Sequence, residues 1–99
     1  MGTQLDSSHE SEVVFSKPPR FSVLLLNDDY TSMEFVIKVL MNIFRKNAED
    51  AHQIMLDVHK NGSGNCGTYS YDIARTKIAQ VEKSALDEGF PLKAIMKEL

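Results

Sequence analysis

From residue 21 onward the apolar positions fall into two periods, and each change of period marks an element. Phe21-Ser22-Val23-Leu24-Leu25-Leu26 is apolar on both sides of a two-residue repeat, which predicts a strand buried between layers. The period then lengthens. Val36, Leu40, Ile43 and Phe44 share one helical face, widened by Met33 and Ile37, and predict a helix from about Ser32 to Arg45. Thr31 and Glu34 have the spacing of a capping box at its start. Asn47 reads as the cap of a second helix, with Glu49 and Asp50 in the first turn, where the helix dipole favours acids. Ala51, Ile54, Met55 and Val58 form its apolar stripe, and Lys60-Asn61-Gly62 ends it.

Gly62-Ser63-Gly64 reads as a loop and residues 65–69 as a short strand. Ser70 caps a third helix with Asp72 in its first turn, Ala74, Ile78, Val81 and Ala85 on its buried face, and Gly89 and Pro91 at its stop. Residues 92–99 read as a last strand. The order β-α-α-β-α-β predicts an α+β domain: three helices packed on a small three-stranded antiparallel sheet. Before it, residues 1–17 hold little to pack apart from Val13-Val14-Phe15 and are expected to be a flexible extension. Pro18-Pro19 stiffens the way into the domain, which spans residues 18–99.

Composition narrows the class. Ninety-nine residues, 42% of them hydrophobic, suffice for one small domain with a modest core. A net charge of −3 argues against nucleic acid, which calls for a basic stripe. The single cysteine, Cys66, has no internal disulfide partner, which fits a reducing cytoplasm. No apolar run approaches the roughly 18 residues of a membrane helix, and the N-terminus has no signal-peptide pattern. A cytoplasmic protein without membrane contact is expected.

The candidate chemistry gathers where the first strand meets the first helix. Asn27-Asp28-Asp29 sets an amide and two carboxylates beside the apolar Met33 and Val36. Acceptors next to apolar side chains suit a ligand with a cationic end and a greasy end. Taken alone the triplet reads more readily as a turn, because these side chains bond nearby backbone and tolerate left-handed geometry. His59 follows Val58 at the end of the second helix, either as a surface histidine or as the polar rim of a pocket floored by Met55 and Val58. Methionines suit a pocket that accepts more than one shape.

Catalysis is poorly supported. Adjacent Asp28 and Asp29 on an open turn do not converge on one reacting atom. His52 and His59 lie about 10 Å apart along a helix, too far to share a zinc ion. Cys66 with His59 as base comes without an oxyanion-hole signature. No catalytic group, metal or cofactor is expected.

Several segments together resemble one family. Asn27-Asp28-Asp29-Tyr30-Thr31, with Met33-Glu34-Phe35-Val36 after one intervening residue, opens the series. Met55-Leu56, Val58-His59, Cys66-Gly67, Ala74, Thr76-Lys77 and Pro91-Leu92 follow in order. This set resembles ClpS, the bacterial adaptor of the N-end rule (N-degron) pathway, over residues 18–99. The resemblance implies a non-enzymatic protein that captures chains beginning with Leu, Phe, Tyr or Trp and hands them to the ClpA unfoldase of the ClpAP protease. It implies that Asn27, Asp28 and His59 hold the substrate's α-amino group. Asp29, Thr31, Met33, Val36, Met55, Val58 and Leu92 would shape or support the side-chain pocket, and Asp72 and Lys77 would meet the N-terminal domain of ClpA. The segment before Pro18 would correspond to the family's delivery extension.

The chemistry of the residues agrees with this. An α-amino group is mostly cationic near neutrality and offers three N–H donors to an amide oxygen, a carboxylate and an imidazole nitrogen. Two positions depart from the family's pattern. Ser32 stands where proline is common, and Asp57 where alanine is common, on the helix that carries the pocket. A generic interaction module of the same fold, like the factor-binding domain of the ribosomal stalk, and a small hydrolase are the competing readings.

Overall fold

The computed structural model describes residues 17–99; the expectations for the extension and for Val13 to Phe15 fall outside them. The elements are β1 (Phe21–Leu26), α1 (Met33–Asn42), α2 (Ala48–Asn61), β2 (Ser63–Tyr69), α3 (Tyr71–Glu88) and β3 (Lys93–Glu98). The sheet order is β2-β1-β3 with both pairings antiparallel, so β1 is central. This is the α+β fold that the hydrophobic pattern predicts.

Val23 and Leu25 of β1 are fully buried in a core shared with Phe35, Val36, Val39 and Leu40 of α1, Ala51, Met55 and Val58 of α2, and Ala74, Val81 and Ala85 of α3. Leu24 and Leu26, on the opposite side of the strand, are half-buried and lie outside that core. The helices therefore cover one side of the sheet, and the strand is not buried between two layers.

The helix ends show which signals were local. Asn47 caps α2 as its sequence predicts, its side-chain oxygen accepting from Asp50 N at 2.8 Å. Gly62 closes α2 at φ +90°, a left-handed conformation that favours glycine. The capping box of Thr31 and Glu34 does not form. Ser32 is the cap instead, its hydroxyl accepting from Phe35 N at 3.1 Å, because Thr31 is committed to Asp28. Ser32 thus supplies a side-chain acceptor at its departure from the family's proline.

α1 also stops at Asn42, three residues short of the expected Arg45. Its last carbonyls find partners from outside the helix. The Lys77 ammonium on α3 donates to Ile43 O at 2.7 Å, and Lys46 N–H donates to Leu40 O at 3.0 Å while Arg45 takes φ +58°. β2 begins at Ser63, earlier than expected, with Ser63 paired to Leu26 and Gly64 to Leu25. Gly64 is there for space: a Cβ on it would lie 2.7 Å from Val58 Cγ2 and 3.0 Å from Ile54 O. That close crossing holds α2 against the sheet.

Candidate functional site

The site forms where the end of β1 meets the end of α2. The backbone N–H of Asn27 donates to Gly62 O at 2.9 Å, and Gly62 N–H donates to Val58 O at 3.0 Å. Two bonds thereby bring the acidic turn to the helix end that carries Val58 and His59. α1 leaves the same turn with Met33 and Val36 one turn apart on one face.

Asp28 organises the turn. Its Oδ1 accepts from Tyr30 N at 2.8 Å and from Thr31 N at 2.7 Å, and its Oδ2 accepts from the Thr31 hydroxyl at 2.7 Å. Partial burial pushes the carboxyl pKa up, but the hydrogen bonds from Thr31 and Tyr30 together outweigh it and hold the group below its ordinary value. The same bonds favour the ionised form of Asp28. Each carboxylate oxygen has two lone pairs; both on Oδ1 are engaged and one on Oδ2 is free. Asp29 and His59 are exposed, and among the described residues neither side chain has a hydrogen-bond or ion-pair partner.

These residues enclose a cavity of about 300 Å³, lined by Asn27, Asp28, Asp29, Thr31, Met33, Val36, Met55, Val58 and His59. One part of the lining is polar and acceptor-rich. The other is apolar, made by two methionines and two valines. The volume sits at the small end of ligand sites, right for a single large side chain. Leu92 does not line the cavity: it is 2% exposed and shares the core with Val36, Met55 and Val58. Asp57 also stays off the lining, half-buried, with Gln53 Nε2 donating to its Oδ1 at 3.4 Å. Among the described residues, none beyond those named from the sequence contributes to the wall.

Asp72 and Lys77 point to different uses. Five positions apart on a helix, they are separated by about 140° around its axis. Asp72 is exposed in the first turn of α3. Lys77 is half-buried, bonded to Ile43 O, with its ammonium 5.8 Å from the Phe44 ring centroid and 5.4 Å from that of Tyr69.

Nucleophilic chemistry finds no geometry here. Cys66 is fully buried at the β-bulge where Val23 faces Gly67 and Leu24 faces Asn65. Burial pushes its thiol up to about 12, and its S–H points to Gly64 O at 3.7 Å. Among the described residues no three His, Cys, Asp or Glu side chains are grouped to hold a metal ion. Nor is any helix among them long and apolar enough to cross a membrane.

Known proteins match this chain along nearly its whole length. The family described as ATP-dependent Clp protease adaptor protein ClpS matches residues 16–95. The ATP-dependent Clp protease adapter protein ClpS of Wolinella succinogenes is 50% identical over 97 residues, covering 98% of this chain and 95% of that protein. Its counterpart from Acetivibrio thermocellus is 56% identical over 87 residues, 88% of each chain. Among solved structures, Agrobacterium tumefaciens ClpS2 bound to L-phenylalaninamide superposes with a TM-score of 0.81 at 35% identity, over 84% of this chain and all of that one. With the family's pattern running through both the folded elements and the acidic turn, this chain belongs to the ClpS family of Clp protease adaptors.

Proposed function

We propose that this protein captures substrates by a free N-terminal Leu, Phe, Tyr or Trp and delivers them to the ClpA unfoldase for degradation by ClpAP in the cytoplasm. The observation that carries the reading is one cavity that joins unspent acceptors to an apolar wall of one-side-chain size. The substrate's ammonium donates to the free lone pair on Asp28 Oδ2, to the Asn27 side-chain oxygen and to a ring nitrogen of His59. Charge-assisted bonds of this kind are the strong ones. Its first side chain enters between Met33, Val36, Met55 and Val58, with Asp29 and Thr31 shaping the mouth. Leu92 supports the wall from the core.

The same geometry reads position as well as identity. An internal residue has an amide in place of the ammonium, one donor instead of three, and no charge. L-phenylalaninamide, the compound bound by the Agrobacterium relative, combines a free amine, an aromatic side chain and an amide in place of the carboxylate. That is the chemistry of a Phe first residue. A generic interaction module would have no use for acceptors left unpaired around an apolar cavity.

Residues 18–99 form the capture domain in this reading, and residues 1–17 act in delivery. Asp72 is the exposed partner contact for the N-terminal domain of ClpA; Lys77 joins it only by giving up part of its hold on α1. Peptides identical except at the first residue test the proposal. Leu, Phe, Tyr and Trp should bind at least about tenfold tighter than Ala or Lys, the order of one large apolar side chain buried. Equal binding across the series would refute it.

A further inference from the structure

The apolar wall of the cavity contains two methionines of opposite exposure: Met33 is 52% exposed and Met55 is 5% exposed. A thioether is the one apolar group in that wall that a two-electron oxidant turns polar, and access decides which thioether reacts. Elsewhere among the described residues, Met41 is 39% exposed on α1 outside the lining, and Met96 is half-buried on β3. Met33 alone is both open to solvent and part of the wall.

We propose that Met33 is an oxidation site through which peroxide suppresses capture of the first residue; the inference rests on the pocket reading above. A sulfur lone pair attacks one peroxide oxygen, and the S–O bond forms as the O–O bond breaks. The departing hydroxide takes the proton from the new S–OH group, leaving the sulfoxide and water. Sulfur is oxidised by two electrons and the peroxide is reduced by two. The product sulfoxide places a strong acceptor and a new stereocentre in the apolar wall, whose other members, Val36, Met55 and Val58, offer no side-chain donor. An incoming Leu or Phe side chain then strips water from that oxygen without replacing it. The fold is spared, because Met33 is the first residue of α1 and more than half exposed, while Met55 in the core is shielded. Methionine sulfoxide reductases with a thiol reductant reverse the change.

The full chain is treated with hydrogen peroxide, sulfoxide at each methionine is quantified by peptide mass spectrometry, and affinity for a Phe-initiated peptide is measured. Met33 should be oxidised before Met55, and affinity should fall about tenfold or more as its sulfoxide accumulates. Reductase treatment should restore it. Saturating Phe-initiated peptide should slow the modification at Met33 and leave that at Met41 unchanged. Met41→Leu should keep the peroxide response, whereas Met33→Leu, whatever affinity it starts from, should lose it. Complete oxidation of Met33 with unchanged affinity, or an undiminished response in Met33→Leu, overturns the inference and leaves the pocket reading standing. Failure of the untreated protein to bind any Phe-initiated peptide overturns both.

Discussion

Asp28→Asn separates the two duties of the residue at the centre of the site. The carboxylate accepts three hydrogen bonds from Tyr30 and Thr31 and leaves one lone pair free, which the proposed function gives to the ligand. An asparagine oxygen in the Oδ1 position still takes both backbone N–H groups. The Thr31 hydroxyl turns to accept from the new NH2, so the turn survives. What is lost is the charge and the free acceptor on Oδ2, which becomes a donor facing the ammonium. Losing a hydrogen bond to a charged partner costs about 1.5–3 kcal/mol, roughly 10- to 150-fold in affinity. Asp28→Ala should lose that and the turn as well. Three hydrogen bonds at about 0.5–1.5 kcal/mol each set an upper range of ~1.5–4.5 kcal/mol for its destabilisation, with relaxation into water reducing it. Fluorescence anisotropy with a Phe-initiated peptide reads the affinity, and urea unfolding of the same samples reads the stability. The expected pattern is weak binding in both variants, with stability lost only in Asp28→Ala. Binding by Asp28→Asn within twofold of the unaltered protein would refute the lone-pair argument.

Met33→Ala should open the mouth of the cavity to β-branched first residues, narrowing the preference for Leu over Ile by ~1–3 kcal/mol, the scale of small changes in an apolar pocket. An unchanged Leu-to-Ile ratio in a protein with native circular dichroism would show that another residue closes the site. Cys66, its thiol pushed up to about 12 by burial, should resist a thiol reagent at pH 8 and react fully once urea unfolds the chain. Native labelling at the rate of a free cysteine would contradict the buried bulge.

α2 was readable end to end because each of its signals is local: the Asn47 cap, the stripe from Ala51 to Val58, and the Gly62 stop. The end of α1 was not. It carries no glycine, and its terminal carbonyl is met by Lys77, a residue 34 positions away. A similar separation hid that Lys77 is held by Ile43 and Phe44. The choice between Thr31 and Ser32 as cap turned on Asp28 claiming the Thr31 hydroxyl, a competition that spacing alone does not rank. Ser63 and Gly64 read as loop because glycine usually breaks strands; only the approach of Val58 explains its use in one. The lining of the cavity was legible in its motif residues. Leu92 lies in the core behind that lining, and nothing in Pro91-Leu92 tells a wall residue from a supporting one.

The central claim is that the site recognises a free α-amino group, and the most direct measurement compares one Phe-initiated peptide with its N-acetylated twin. Acetylation leaves the aromatic side chain intact and replaces an ammonium with an uncharged amide. The account predicts a loss of at least ~1.5–3 kcal/mol, roughly tenfold or more in affinity, since the charge-assisted bonds to Asn27, Asp28 and His59 disappear together. Equal affinity for the two peptides would contradict it and leave the acidic turn as structure alone.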